Sequence, residues 1–265
     1  MNIVLAHGIL GFRRKFGIEY FRGVAEHLRA EGFAILVPEV DSTLGIAFRG
    51  NQLGDQINNG FSSGLLDPTQ KTHIIAHSMG GLDSRYLLSP KSGKKLLAPV
   101  RSLTTISTPH RGSPIADLID GRLHPRSLPH RPFRPTKLLH LILKDLGISL
   151  DGLRDLTTAS CQVFSAKYIN NPSLAYYSVA GSGRLGSFPT ASILLPFHHF
   201  LLKRTRKSND GLVTVDSAKW GTFDPATWPA DHADEVGHNL DNLLIPPAFP
   251  YLQKFDKIIA KVAML

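Results

Sequence analysis

Ser78 stands between a short apolar run and the small residues Gly80 and Gly81, in the segment Thr72-His-Ile-Ile-Ala-His-Ser-Met-Gly-Gly-Leu82. A serine at such a strand-to-helix turn adopts a strained backbone that lifts its Oγ above the sheet, and small neighbours on either side let strand and helix pack closely. The chemistry is nucleophilic attack. The usual pattern is GxSxG; here Ala76 fills the first glycine position and Gly80 keeps the second. A serine of this kind needs a base, and the base needs a carboxylate to fix its tautomer, in the chain order Ser, acid, His. The last third of the chain offers Asp210, in Ser208-Asn-Asp-Gly-Leu-Val213, and His232, in Asp231-His-Ala-Asp-Glu-Val236. Rival histidines are His238, His198, His199 and His110, and rival acids are Asp216, Asp231 and Asp234. His77 precedes the nucleophile and is expected to point away from it.

Attack on a carbonyl also requires preorganised donors for the oxyanion, each commonly contributing about 3 kcal/mol. The loop His7-Gly-Ile-Leu-Gly-Phe12 follows the first apolar run and can aim backbone N–H groups into a cavity. The Ile9 and Met79 amides are the expected pair.

These residues must be carried by a scaffold, and short apolar runs alternating with helical stretches point to an α/β fold with a mostly parallel central sheet flanked by helices. Strands are expected at 2–6, 34–37, 73–76, 102–106 and 175–180, and helices at 19–31, 48–59, 80–88 and 153–168. The 265 residues, 42% hydrophobic and 19% charged, suffice for one domain spanning 1–265. The longest apolar stretch, Ile193 to Leu202, is too short to cross a bilayer. The chain opens directly in a strand-like run, which fits a cytoplasmic protein or one whose leader has been removed. A single cysteine, Cys161, excludes an intramolecular disulfide and reads as a small buried helix residue.

Taken together, the chain resembles the bacterial triacylglycerol lipases of the α/β-hydrolase superfamily. The matching segments are Val4–Phe12, Arg49-Gly-Asn-Gln-Leu53, Ala76–Leu82 with Ser84-Arg-Tyr86, Leu103–Ser113, Asn209–Val213 and His232–Val236, in the family's order. The resemblance implies Ser78 as nucleophile, Asp210 as triad acid, His232 as base in preference to His238, and the Ile9 and Met79 amides as oxyanion donors. It implies an ester or lipid substrate and no cofactor. Many members hold calcium near the catalytic histidine, and Asp234 matches one carboxylate ligand. The second aspartate is missing from the corresponding stretch Gly186–Ser192, and His238 stands where an amide side chain is expected. No metal is therefore expected, and Asp234 reads as a helix cap or a partner for arginine.

The segment 114–168 is read as a lid or cap insertion within the domain. Its stretch from Gly121 to Lys144 carries four prolines and six Lys or Arg without an acidic residue. Around Thr136 to Leu146, Leu138, Leu139, Ile142 and Leu143 share an apolar face with Lys137, His140 and Lys144 as a polar stripe. That pattern fits a mobile lid helix or a permanently docked cap helix. Leu195 and Phe197, in the second apolar stretch, are expected to form the other wall of an acyl pocket. The formal charge of +9 gathers in the insertion and in Lys203–Lys207 rather than on a nucleic-acid module. An anionic lipid interface suits it better than nucleic acid, and nothing points to a partner protein. Two other classes keep the same residues in view: a short-chain, polyester or thioester hydrolase, and a noncatalytic lipid-binding protein.

Overall fold

Strand β1 (Asn2–Ala6) is buried along its whole length, and the alternation of its side chains contributes to both cores. Ile3 and Leu5 face one side, Val4 and Ala6 the other, and all four are buried. A strand apolar on both faces belongs inside a parallel sheet covered by helices. In the computed structural model, which describes residues 1–9, 14, 15, 18–121, 151–183 and 190–265, that is its position.

Six strands form one sheet in the order β4-β1-β5-β6-β7-β8, every pairing parallel. These are β4 (Ala34–Leu36), β5 (Thr72–His77), β6 (Val100–Ile106), β7 (Ala175–Val179) and β8 (Thr222–Phe223) around β1. A separate two-stranded antiparallel ribbon pairs β2 (Arg14–Lys15) with β3 (Ile18–Glu19). On one face α1 (Val24–Ala30) and α9 (Tyr251–Ala263) bury Val24, Leu28, Phe255 and Ile259 against Ile3, Leu5 and Ile75. On the other, α2 (Ile46–Ser62) and α3 (Gly80–Leu88) close over Val4, Ile74 and Leu103 with Leu53, Ile57 and Leu87. Fully burying each such side chain contributes about 1.5–3 kcal/mol relative to exposure.

The fold class is as expected, and the differences lie in individual elements. The helix read at 19–31 begins only at Val24, because Glu19 ends β3 and Gly23 sits at φ 66°, outside helical space. The helix read at 153–168 is two, α5 (Asp151–Asp155) and α6 (Thr158–Lys167). Thr157 separates them as an N-cap whose hydroxyl accepts from the Ser160 N–H. Helix α4 (Pro114–Ile119), capped by Ser113, packs near both. The apolar stretch at 193–202 is mostly helix α7 (Leu195–Thr205), and α8 (Val215–Ala218) follows the Asp210 turn. Cys161 is buried in α6, where desolvation pushes its thiol up to about 12. Among the described residues, no helix is long and apolar enough to cross a membrane.

Candidate active site

Strand β5 ends at His77, and Ser78 follows at φ 54°, the left-handed region that L side chains rarely adopt. Such a backbone is unfavourable by about 1–2 kcal/mol and persists only when its surroundings fix it. Ser78 N–H donates to the Ile106 carbonyl at 3.0 Å, while the Ser78 carbonyl accepts from Thr108 Oγ1 at 2.7 Å and Gly81 N–H at 3.1 Å. Helix α3 starts immediately and runs beneath the end of β1. A Cβ on Gly80 would lie 2.4 Å from the Ala6 carbonyl oxygen, so the second glycine of the pentad is required by packing. Ala76 lies among the apolar residues under α2 and α3, where a methyl group is accommodated.

The loop after β1 comes up against this turn. A Cβ on Gly8 would stand 2.7 Å from Ser78 Cβ and 2.7 Å from the Tyr20 hydroxyl. The Ile9 and Met79 N–H groups donate to no described residue, and both side chains belong to one apolar cluster with Ile46, Tyr86 and Phe164. Arg49 anchors the loop from below. Its guanidinium pairs with Asp83 at 2.7 and 2.8 Å, donates to the His7 carbonyl at 2.9 Å and reaches the Asp41 carbonyl. Burial holds Asp83 up at about 6 even with Arg49 beside it, and Asp83 Oδ1 has no hydrogen-bond partner. Burial, assisted by Arg49, lowers His7 to about 4.

Asp210 and His232 meet on adjoining turns. His232 Nδ1 lies 2.7 Å from Asp210 Oδ2, and the His232 N–H donates to the Asp210 carbonyl at 2.9 Å. The other carboxylate oxygen accepts from the Leu212 and Val213 N–H groups at 2.8 and 2.7 Å. The turn needs Gly211, which sits at φ 100°. With Nδ1–H donated to Asp210, Nε2 is left as the acceptor. The His232 ring packs 4.4 Å, centroid to centroid, from that of His77, whose neighbour is Ser78. Ser78 Oγ and His232 Nε2 make no hydrogen bond to each other in this structure. Contacts of this type commonly tighten only when substrate binds.

His238, His110 and Asp216 are engaged elsewhere, while His198 on α7 has a buried Nδ1 without a hydrogen-bond partner. His238 Nε2 lies 2.8 and 2.9 Å from the Glu19 and Tyr20 carbonyls. His110 stacks on Trp220 and contacts Thr105 and Arg85. Asp216 faces solvent and pairs with Lys207 and Lys219. Leu195 and Phe197 are half-buried on α7, where Phe197 packs on the cluster of Ile115, Leu118 and Phe200. Leu138, Leu139, Ile142 and Leu143 lie outside the described residues. Sequence reasoning did not pick out Tyr20, Glu235 and Ser107 or assign a role to His77, and all four are interior polar groups here. The available signal was His77 itself, which lies with His73 on either side of Ile75 on one face of a fully buried strand.

The carboxylates near His232 are occupied as follows. Asp234 opens a 3-10 turn (Asp234–Val236), has no arginine partner among the described residues, and accepts a 3.4 Å bond from the Asp231 N–H. Burial first, then Asp231 and Asp241, push it up to about 7. Both oxygens of Asp231 are taken by the Ala191, Ala233 and Asp234 N–H groups. Among the described residues, three ligand atoms converge within 4.8 Å only in His77, His232 and Glu235 and in His27, Glu31 and Asp256. The acidic residues around Asp234 thus do not supply the six or more oxygens that calcium takes.

The solved structures decide the architecture. A Staphylococcus hyicus lipase superimposes with a TM-score of 0.70 at 19% identity, covering 99% of this chain and 95% of that one. A metagenomic carboxyl esterase gives 0.72 at 18%, covering 100% and 76%. The chain has the α/β-hydrolase fold. Among curated proteins, the chain is 31% identical over 222 residues to triacylglycerol lipase 2 of Saccharomyces cerevisiae, covering 83% of this chain and 62% of that relative's length. It is 27% identical to the triacylglycerol lipase of Pseudomonas fragi, covering 89% and 87%. No family model matches the chain.

Proposed function

We propose that the protein is a carboxylic ester hydrolase, a lipase or long-chain esterase, with Ser78, His232 and Asp210 as its catalytic triad. The observation that carries this is a buried His232–Asp210 pair beside a serine held in the left-handed region at the end of β5. In this reading His232 Nε2 takes the Ser78 proton as Oγ attacks the ester carbonyl. The tetrahedral oxyanion rests on the Ile9 and Met79 N–H groups. Asp210 stabilises the imidazolium, which protonates the leaving alcohol, and water then repeats the attack on the acyl-enzyme.

A cleft of about 420 Å³ supports a long acyl chain. Ile46, Tyr86, Val163, Phe164 and Tyr168 line it, and all but Val163 share the apolar cluster of Ile9 and Met79. We read residues 1–265 as one domain in which 114–168 is a cap over this face. Lys203, Arg204 and Arg206 at the end of α7 are exposed and make no ion pair among the described residues, which favours an anionic lipid surface. Vesicle binding that ignores both anionic lipid content and salt would count against that surface.

The test is hydrolysis of a p-nitrophenyl ester series of increasing acyl length by wild type, Ser78→Ala, His232→Ala and His238→Gln. The first two variants are expected to lose at least about a thousandfold in kcat, and the third to keep it. Undiminished turnover by Ser78→Ala would end the proposal.

A further inference from the structure

Beneath the His232–Asp210 pair runs a chain of buried polar groups for which the reaction as written has no use. The Tyr20 hydroxyl lies 2.7 Å from His77 Nδ1, and His77 Nε2 lies 3.0 Å from Glu235 Oε2. Ser107 Oγ donates to Glu235 Oε1 at 2.6 Å and accepts from the Gly181 N–H at 2.9 Å. His77, Glu235 and Ser107 are at most 1% exposed. Building on the triad reading, we propose that Tyr20, His77, Glu235 and Ser107 are positioning residues that lock the oxyanion loop, the nucleophile turn and the histidine loop into one register for acyl transfer.

Each end of the chain is tied to a different working part. Tyr20 Oη stands where a Cβ of Gly8 would be 2.7 Å away, directly against the loop that carries the Ile9 N–H. His77 is joined to Ser78 by one peptide bond, and its ring lies 4.4 Å from that of His232. Glu235 follows His232 by three residues. Ser107 leaves β6 at φ 44°, a second left-handed residue beside the first. Gly181 makes room for the carboxylate, since a Cβ there would fall 1.8 Å from Glu235 Oε1.

Stability alone does not account for these residue types. Position 77 shares its face of β5 with Ile75 and borders an apolar core, where a hydrophobic side chain would avoid desolvating an imidazole and a carboxyl. Burial drives Glu235 upward and His77 downward, so the pair is held net neutral in the interior. What a satisfied polar chain provides, and an apolar core does not, is a single fixed geometry between loops far apart in sequence.

The test uses Tyr20→Phe, Glu235→Leu and Glu235→Gln, with active sites counted by fluorophosphonate labelling. Tyr20→Phe removes one hydroxyl and keeps the ring packing on Phe21 and His7. Per labelled site, Tyr20→Phe and Glu235→Leu are expected to lose at least tenfold in kcat on a p-nitrophenyl ester with KM within twofold. Glu235→Gln, which can still accept from Ser107 and donate to His77, is expected to recover to within about threefold of wild type. Values of kcat per site within twofold of wild type for Tyr20→Phe would overturn the proposal. So would activity lost only in proportion to labelled sites, the mark of a general folding defect. If Glu235→Leu does not fold, Tyr20→Phe decides alone. Failure of wild type to label at Ser78 would instead sink the triad reading itself.

Discussion

Replacing Arg49 with Met should damage stability and catalysis by separable amounts. Arg49 is fully buried, and its removal leaves Asp83, itself 1% exposed, as an unpaired interior carboxylate. Breaking a buried pair in this way costs about 3–5 kcal/mol. The His7 and Asp41 carbonyls also lose their donors, at about 1–3 kcal/mol each where no water replaces them. In Arg49→Met/Asp83→Leu the charge is gone and only the carbonyls remain orphaned, so the double variant should recover at least about 2 kcal/mol over the single one. The recovery depends on pH. Asp83 already sits at about 6, above its unfolded value of 3.8, so it favours the native state in acid and loses that contribution as pH rises through 6. Urea unfolding should therefore show a larger gain for the double variant at pH 8 than at pH 4. Activity should not recover, because the His7 carbonyl that holds the Gly8-Ile9 loop is still free, and a misplaced oxyanion donor lowers kcat by about 10–100-fold. A double variant no more stable than Arg49→Met at pH 8 would refute the account of the charge. Full kcat in either variant would refute the account of the loop.

Gly80→Ala places a methyl 2.4 Å from the Ala6 carbonyl oxygen and 2.7 Å from that of His7, both backbone atoms that cannot step aside. A loss of about 1–3 kcal/mol in urea unfolding is expected, with kcat falling as the nucleophile turn shifts. Asp234 has a native pKa of about 7 against 3.8 unfolded, so its penalty develops as pH rises from about 4 to 7 and is complete above that window. Asp234→Asn in EDTA should consequently raise Tm at pH 8 and leave it unchanged near pH 4. A Tm gain of equal size at both pH values would exclude the electrostatic cause.

Much of the scaffold was legible because it depends on local pattern. Helix α3 was expected with the bounds it has, since Gly80 and the apolar spacing after it mark its start. The Asp210 turn was legible for a similar reason: Asn-Asp-Gly demands a tight turn, and Gly211 takes the left-handed conformation that the turn requires. Misread elements had competing local signals. Thr157 interrupts a run of helix formers, and Gly23 delays α1. Helix α9 was not anticipated, although Tyr251, Phe255, Ile258, Ile259 and Val262 recur at helical spacing and all are buried. The Tyr20–His77–Glu235 chain could not be seen at all, because its members are 57 and 158 residues apart and only the sheet brings them together.

The place of β1 between β4 and β5 bears on when hydrolytic power arises during synthesis. Three adjoining strands on one side of the sheet, β4, β1 and β5, lie within the first 77 residues, with Gly8, Ile9 and the residues that brace them. The nucleophile follows at once. The base and its carboxylate do not exist until more than 130 further residues have been made, and they must then find each other across turns on the far side of β7. Domains fold as units and long-range pairings close late. The serine turn, braced by Ile106 and Thr108, thus precedes its base by more than a hundred residues, and competence for chemistry arrives only with the carboxyl-terminal third.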